Sequence, residues 1–166
     1  MSDLWRVPFA SSDAVAARMS RLARKDTAPE MALRKALHLR GLRYFVHRRP
    51  LPELRREADI VFPKAKVAVF VDGCFWHGCP EHGRRNGGTN EWYWSEKIQR
   101  NKDRDCDTDE RLKRAGWVPV RVWEHMPASE AAQSVQTIIK SLQPSAQLTG
   151  LDPAMRGKEP STVARR

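Results

Sequence analysis

No stretch of the 166-residue chain runs for about 18 apolar residues, the length a helix needs to cross a bilayer. Nothing in it is therefore expected to span a membrane. The apolar segment of an export signal is missing too, since residues 1–24 alternate charged and apolar side chains. The expected location is the cytoplasm. Cysteine is scarce and odd in number (Cys74, Cys79, Cys106), which argues against a disulfide framework in a reducing compartment and favours metal ligation. No internal repeat is present. The length suits one domain with a real core.

What the chain has in excess is positive charge. Lysine and arginine number 30 against 20 acidic residues, a formal net charge of +10. Such an excess suits a polyanion, because each phosphate neutralised releases condensed counterions and steers association. An arginine-rich but merely solvated surface gives the same count, so charge alone does not decide for nucleic acid.

Residues 1–12 read as a flexible arm and 144–166, rich in Pro, Gly, Ser and Arg, as a disordered tail, with a single domain over 13–143. Within 13–24, Val15, Ala16, Met19 and Leu22 recur at helical spacing. A second helix starts at Thr27-Ala-Pro-Glu30, with Thr27 as cap and Glu30 at the capping-box position, and continues through Met31, Leu33, Leu37 and Leu39 to Gly41. Three short strands follow at 42–47, 57–62 and 67–71, close enough in sequence to be antiparallel neighbours. Asn90 opens a long charged helix to about residue 115. A fourth strand spans 117–123, where Pro119 demands an edge or a bulge. Residues 129–142 form a last amphipathic helix through Ala132, Val135, Ile138 and Ile139. This is the element order of an α/β layer fold, a small mixed sheet flanked by helices.

The chemistry concentrates in residues 67–82, VAVFVDGCFWHGCPEH. A β-branched run delivers Asp72 to Gly73, and two cysteines, two histidines and two aromatics follow within ten positions. Cys74, Cys79 and His82 make a C-x4-C-x2-H cluster that asks for a fourth ligand around Zn²⁺. His125, just past the fourth strand, fills that place if this strand lies beside the third. Cys106 is the rival, but mid-helix amid charge it reads as a free thiol. Four protein ligands leave no open position, so the zinc would be structural.

Asp59 stands inside an apolar strand, where a carboxylate is expensive without a cation. Asp59 and Asp72 on neighbouring strands suit a hard divalent ion such as Mg²⁺, although Asp72 before a glycine is also an ordinary turn residue. His77 is left over by the zinc set. An imidazole near a metal-bound phosphate can take a proton from attacking water at neutral pH. Glu30 either orients that group or a hydrated metal, or simply caps its helix. Phe75 and Trp76, on the loop, are placed to wedge between base steps; Trp92 and Tyr93 are expected in the core.

The motifs DGCFWHGCPEH, EWYWSEKIQRNKDRD and GWVPVRVWEH, in this order and preceded by DTAPE, closely resemble the very short patch repair (Vsr) DNA mismatch endonucleases. The resemblance implies a restriction-endonuclease-like fold and Mg²⁺-dependent nicking on the 5′ side of the thymine in a T·G mismatch left by deamination of 5-methylcytosine. It implies Asp59 as the metal-binding aspartate, His77 as the catalytic histidine and Glu30 as a functional glutamate. The zinc ligands fall on Cys74, Cys79, His82 and His125, and the intercalating aromatics on Phe75, Trp76 and Trp94. Ala58 replaces the usual proline before the metal-binding aspartate of restriction enzymes, and Cys74 stands where many of them place lysine; histidine-based chemistry suits that missing lysine.

The full reading is a nucleoid-associated, monomeric nuclease for mismatched double-stranded DNA. Asp59, Asp72 and the carbonyl of Val71 hold Mg²⁺, and His77 deprotonates water. Its functional counterpart is a cytosine-5 DNA methyltransferase, with mismatch-repair proteins as further partners. The alternatives are a restriction-like nuclease on matched DNA and a non-catalytic, zinc-stabilised DNA-binding module.

Overall fold

The computed structural model describes residues 25–83 and 90–142, together with Ala17. The expected arm, the expected helix over 13–24 apart from Ala17, the basic loop at 84–89 and the tail lie outside the described residues.

Helix α1 (Ala28–Leu39) begins at the DTAPE motif. Glu30 reaches back over the helix start, where its carboxylate accepts the N–H of Asp26 at 2.9 Å and the hydroxyl of Thr27 at 3.0 Å. The N–H bond comes from the residue before the N-cap Thr27, a capping box shifted by one position, and the Thr27 hydroxyl accepts no helix N–H. Gly41, at φ +76°, turns the chain out of the helix in the left-handed conformation that a side chain would resist. The buried stripe differs from the apolar count. Leu33 and Leu37 face inward, but Met31 and Leu39 are 51% and 78% exposed. Glu30 and Arg34 complete the stripe, spaced at i, i+4 and i+7 with Leu37.

Strands β1 (Phe45–Arg48), β2 (Ala58–Phe62) and β3 (Val67–Asp72) are consecutive antiparallel neighbours, as their spacing predicts. The sheet order is β1-β2-β3-β4, and β4 (Val118–Trp123) runs parallel to β3, from Val67↔Val118 to Asp72↔Trp123. A parallel pair needs a crossover, which α2 (Glu91–Arg114) supplies. Pro119 lies on this edge strand, where its missing N–H costs no ladder bond.

The two faces of the sheet are covered differently. On one, Ile60, Phe62, Val67, Val69 and Val122 pack against Leu33 and Leu37 of α1 and against Ala131, Ala132, Val135 and Ile139 of α3 (Ala128–Leu142). Each large side chain buried here contributes about 1.5–3 kcal/mol. On the other, α2 buries only Thr108 and Leu112, over Leu54, Ala58, Val61, Ala68 and Phe70. Polar contacts do the rest. Arg56 donates to the Arg104 carbonyl at 3.0 Å, Asp107 at 2.7 Å and the Thr108 hydroxyl at 2.6 Å.

Because only the last turns of α2 reach buried ground, its first turn stands off the sheet. Trp92, expected in the core, is 62% exposed there, and Tyr93 is half-buried against its neighbours. Among the described residues no helix is long and apolar enough to cross a membrane.

Candidate active site and metal centre

The parallel register that sets Asp72 beside Trp123 makes the loop after β3 and the turn after β4 leave the sheet at one edge. Four ligand-type side chains meet there. Cys74 Sγ lies 3.1 Å and Cys79 Sγ 3.8 Å from His125 Nδ1, and the ring of His82 is 4.3 Å from that of His125. One ligand atom from each of Cys74, Cys79, His82 and His125 lies within 4.8 Å of all the others. Ligands about 2.0–2.3 Å from a tetrahedral zinc stand about 3.3–3.8 Å apart, so this donor set fits Zn²⁺ without rearrangement of the fold.

Burial and the adjoining Cys79 push the Cys74 thiol up to about 11. Burial acts on Cys79 as well, but the N–H groups of His82 and Glu81 outweigh it and hold that thiol below its usual range. A second thiolate beside the first needs a cation between them. Glu124, unremarked in the sequence, accepts the N–H of Cys74 at 2.6 Å and steadies the loop from β4's end. Gly78, at φ +62°, lets the loop lie against α2: a Cβ there would come within 2.6 Å of Lys102 Cε. Cys106 is exposed on α2, 3.8 Å from Glu110, and stands outside the cluster.

His77 projects from the same loop but joins a different group. Its Nδ1 lies 2.5 Å from Asp105 Oδ2 and 3.6 Å from Asp72 Oδ1. Burial works against charge on Asp105, yet the His77 bond and the nearby Arg121 hold its carboxyl below the usual range. Asp72 is almost wholly buried, and burial raises its pKa even though Arg121 donates to both of its oxygens at 3.0 and 2.9 Å. Asp105 and Arg121 escaped the sequence reading. Asp105 is one of four aspartates within 103–109, and no spacing rule selects it.

Asp59 sits where the β2–β3 ladder ends at Ile60↔Val69, and its Oδ2 accepts the N–H of Val71 at 2.7 Å. Burial pushes its pKa up to about 6, with the Val71 N–H opposing and the fields of Glu30 and Asp72 adding to the rise. Among the described residues no cationic side chain pairs with it within ion-pair distance.

The acids on either side are provided for. Arg34 donates to Asp26 at 2.5 Å and Glu30 at 3.1 Å and lies 3.0 Å from His47 Nε2. His47, also unremarked in the sequence, is held at φ +49° on β1 with Nε2 3.1 Å from Asp26. Arg34 thus pairs with Asp26 and Glu30, and Arg121 with Asp72, Asp105 and Asp109, whereas Asp59 has no cationic partner among the described residues. Asp59 lies within the field of Asp72, which in turn stands 3.6 Å from His77 Nδ1. Glu30 belongs to the Arg34 cluster and reaches Asp59 only through its field.

The expected wedge residues form one aromatic group. Phe75 lies 4.9 Å from Trp76 and 5.2 Å from Trp94, and the two tryptophans are 5.8 Å apart, all edge-to-face. Lys97 Nζ stands 5.2 Å from the Trp76 ring and 5.4 Å from that of Trp94. Asn101 donates to the Trp76 carbonyl at 2.8 Å, tying this loop to α2.

The chain is also similar to known nucleases. A model of the family described as DNA mismatch endonuclease Vsr matches residues 11–82. The type II nicking enzyme V.NaeI of Lentzea aerocolonigenes is 47% identical over 123 residues, covering 72% of this chain and 73% of that protein. The type II nicking enzyme V.XorIIP of Xanthomonas oryzae is 41% identical over 109 residues, 64% of this chain and 76% of its own length. The DNA mismatch endonuclease Vsr of Escherichia coli K12 is 34% identical over 106 residues, covering 64% of this chain and 66% of that protein.

Proposed function

The chain belongs to the DNA mismatch endonuclease Vsr family and is a DNA endonuclease, and from that premise we propose Mg²⁺-dependent nicking on the 5′ side of the mispaired thymine in a T·G mismatch. Such mismatches arise where 5-methylcytosine is deaminated, so the functional counterpart is a cytosine-5 DNA methyltransferase. The observation that carries the reading is the half-buried Asp59, without an ion pair among the described residues and within the field of Asp72, which lies 3.6 Å from His77 Nδ1.

In this mechanism Asp59 and the main-chain carbonyl of Val71 hold the cation. When bound, Mg²⁺ supplies Lewis-acid stabilisation of charge on the scissile phosphate. Asp72, which the sequence pairs with Asp59 in that task, carries Arg121 on both oxygens. We assign it to the surroundings of His77, since a second cation beside a guanidinium is electrostatically costly. His77 accepts a proton from the attacking water at Nε2, its Nδ1–H being taken by Asp105. The oxygens of Glu30 are engaged by Asp26, Thr27 and Arg34, so its part is to fix the start of α1 and place negative charge near Asp59. Cys74, Cys79, His82 and His125 hold a structural zinc. Phe75, Trp76 and Trp94 unstack a base step beside the mismatch, where weak pairing makes the distortion cheaper.

One observation favours a second reading. V.NaeI and V.XorIIP are named nicking enzymes, words that specify no mismatch, and these fit nicking of matched DNA. A panel of T·G, other mismatched and fully paired duplexes, run with Mg²⁺ and without, separates the two. The proposal expects Mg²⁺-dependent nicking of the thymine strand of T·G duplexes; equal cleavage of all duplexes overturns it. Asp59→Ala is expected to abolish nicking with DNA binding retained, and a variant that still nicks removes Asp59 from the mechanism.

A further inference from the structure

Arg121 enters this centre from β4, and all three nitrogens of its guanidinium are used. Nη1 donates to both oxygens of Asp72 at 3.0 and 2.9 Å, and Nε to both oxygens of Asp109 at 3.2 and 3.1 Å. Nη2 donates to Asp109 Oδ1 at 3.1 Å and to the main-chain carbonyl of Asp105 at 3.2 Å, and lies 3.4 Å from Asp105 Oδ1. The group lies over the ring of Phe70, 4.9 Å from its centroid. A clamp between β4 and α2 needs only Asp109 and Asp105. The two bonds to Asp72 add nothing to that clamp, because Asp72 is on β3.

They do matter to His77. Its Nδ1 faces two carboxylates, Asp105 Oδ2 at 2.5 Å and Asp72 Oδ1 at 3.6 Å, and one N–H cannot serve both well. Arg121 engages both oxygens of Asp72 but only Oδ1 of Asp105, leaving Oδ2 of Asp105 as the acceptor without a competing donor from the guanidinium. We propose that Arg121 is a positioning residue of the nuclease centre: by pairing with Asp72 and steadying Asp105, it commits the Nδ1–H of His77 to Asp105 and so fixes the direction in which Nε2, the nitrogen that accepts the proton, points. The inference rests on His77 as the general base. Without Arg121, two unneutralised carboxylates compete for the imidazole and pull it away from a single orientation.

The test compares Arg121→Gln, Asp72→Asn and the double variant, zinc-loaded and supplied with Mg²⁺, on a T·G duplex. Arg121→Gln is expected to lower kcat about 100-fold and change KM by no more than about threefold, the scale of a misplaced general base. Neutralising Asp72 in that background removes the competitor, so the double variant returns to within about tenfold of the parent. Proton NMR of the His77 ring gives an independent reading: the Nδ1–H bonded to Asp105 gives one downfield signal in the parent, broadened or split in Arg121→Gln, and single again in the double variant.

Parent-like kcat in Arg121→Gln, a double variant no better than the single one, or an Nδ1–H signal unchanged in Arg121→Gln overturns the proposal. Should Arg121→Gln fail to fold, Asp72→Asn and the double variant read the same coupling. Rates within about tenfold of each other support it, and a gap of about 100-fold overturns it. A His77→Ala protein that nicks at the parent rate is a different failure. It removes His77 from the proposed mechanism, and the Nδ1–H signal then judges Arg121 alone.

Discussion

The two faces of the sheet do different work with different chemistry. The face under α1 and α3 is closed by aliphatic side chains from both helices. The face under α2 has one buried leucine from that helix and is otherwise fastened by Arg56 and Arg121 to aspartates, a threonine and main-chain carbonyls. Apolar packing is indifferent to small changes in direction, whereas ion pairs and hydrogen bonds fix angles. The candidate nuclease centre is built from the polar side, where Asp105 and Arg121 converge on His77. The apolar side supplies stability, and the polar side supplies orientation.

The cysteine–histidine cluster fastens the edge where β3 and β4 both end, and breaking it should have the largest effect. Cys79→Ser is expected to lose zinc and unfold, because structural zinc contributes on the order of 10 kcal/mol to folding. Metal analysis and denaturant melts check this; a zinc-free variant as stable as the parent refutes the structural role.

Next, the faces themselves can be set against each other. Leu37→Ala, on the apolar side, should cost about 3 kcal/mol in urea unfolding and leave the nicking rate per folded molecule unchanged. Arg56→Ala, on the polar side, should cost only about 1 kcal/mol. Equal losses from the two would mean the faces do not differ as described.

A further comparison concerns Asp59 in Mg²⁺-free, zinc-loaded protein. Its pKa rises from 3.8 to about 6 on folding, so between those values the folded state keeps a proton that the unfolded chain has released. Stability therefore falls as pH rises through that window. The loss is about 1–3 kcal/mol and is complete above pH 6 or so. Asp59→Asn, which cannot ionise, should match the parent near pH 4 and exceed it by that amount at pH 8. Unfolding curves at the two pH values test this, and a parent whose stability does not fall relative to the variant rejects the uncompensated acid. Added Mg²⁺ should narrow the gap at pH 8.

Much of this was legible in the chain. The glutamate at the start of α1, the glycine that ends that helix, the antiparallel β1–β3 neighbours and the edge position of Pro119 follow from local rules. The gathering of Cys74, Cys79, His82 and His125 follows from the expectation that the fourth strand lies beside the third. The inward stripe of α1 was not legible, because Met31 and Leu39 are as apolar as Leu33 and Leu37 but face solvent, while Glu30 and Arg34 are buried as a pair. Nor was the exposure of Trp92, whose apolar surface suggests burial wherever a helix happens to cover it.

The sequence by itself determined the element order and the donor types on the loop after β3, because caps, periodicity and ligand spacing are properties of neighbouring residues. Only the tertiary structure decided which acids are neutralised. Asp59, Asp72, Asp105 and Asp109 are identical side chains, and what separates them is whether Arg121 stands within a few ångströms. Coulomb energy depends on distance through space, and distance along the chain does not report it.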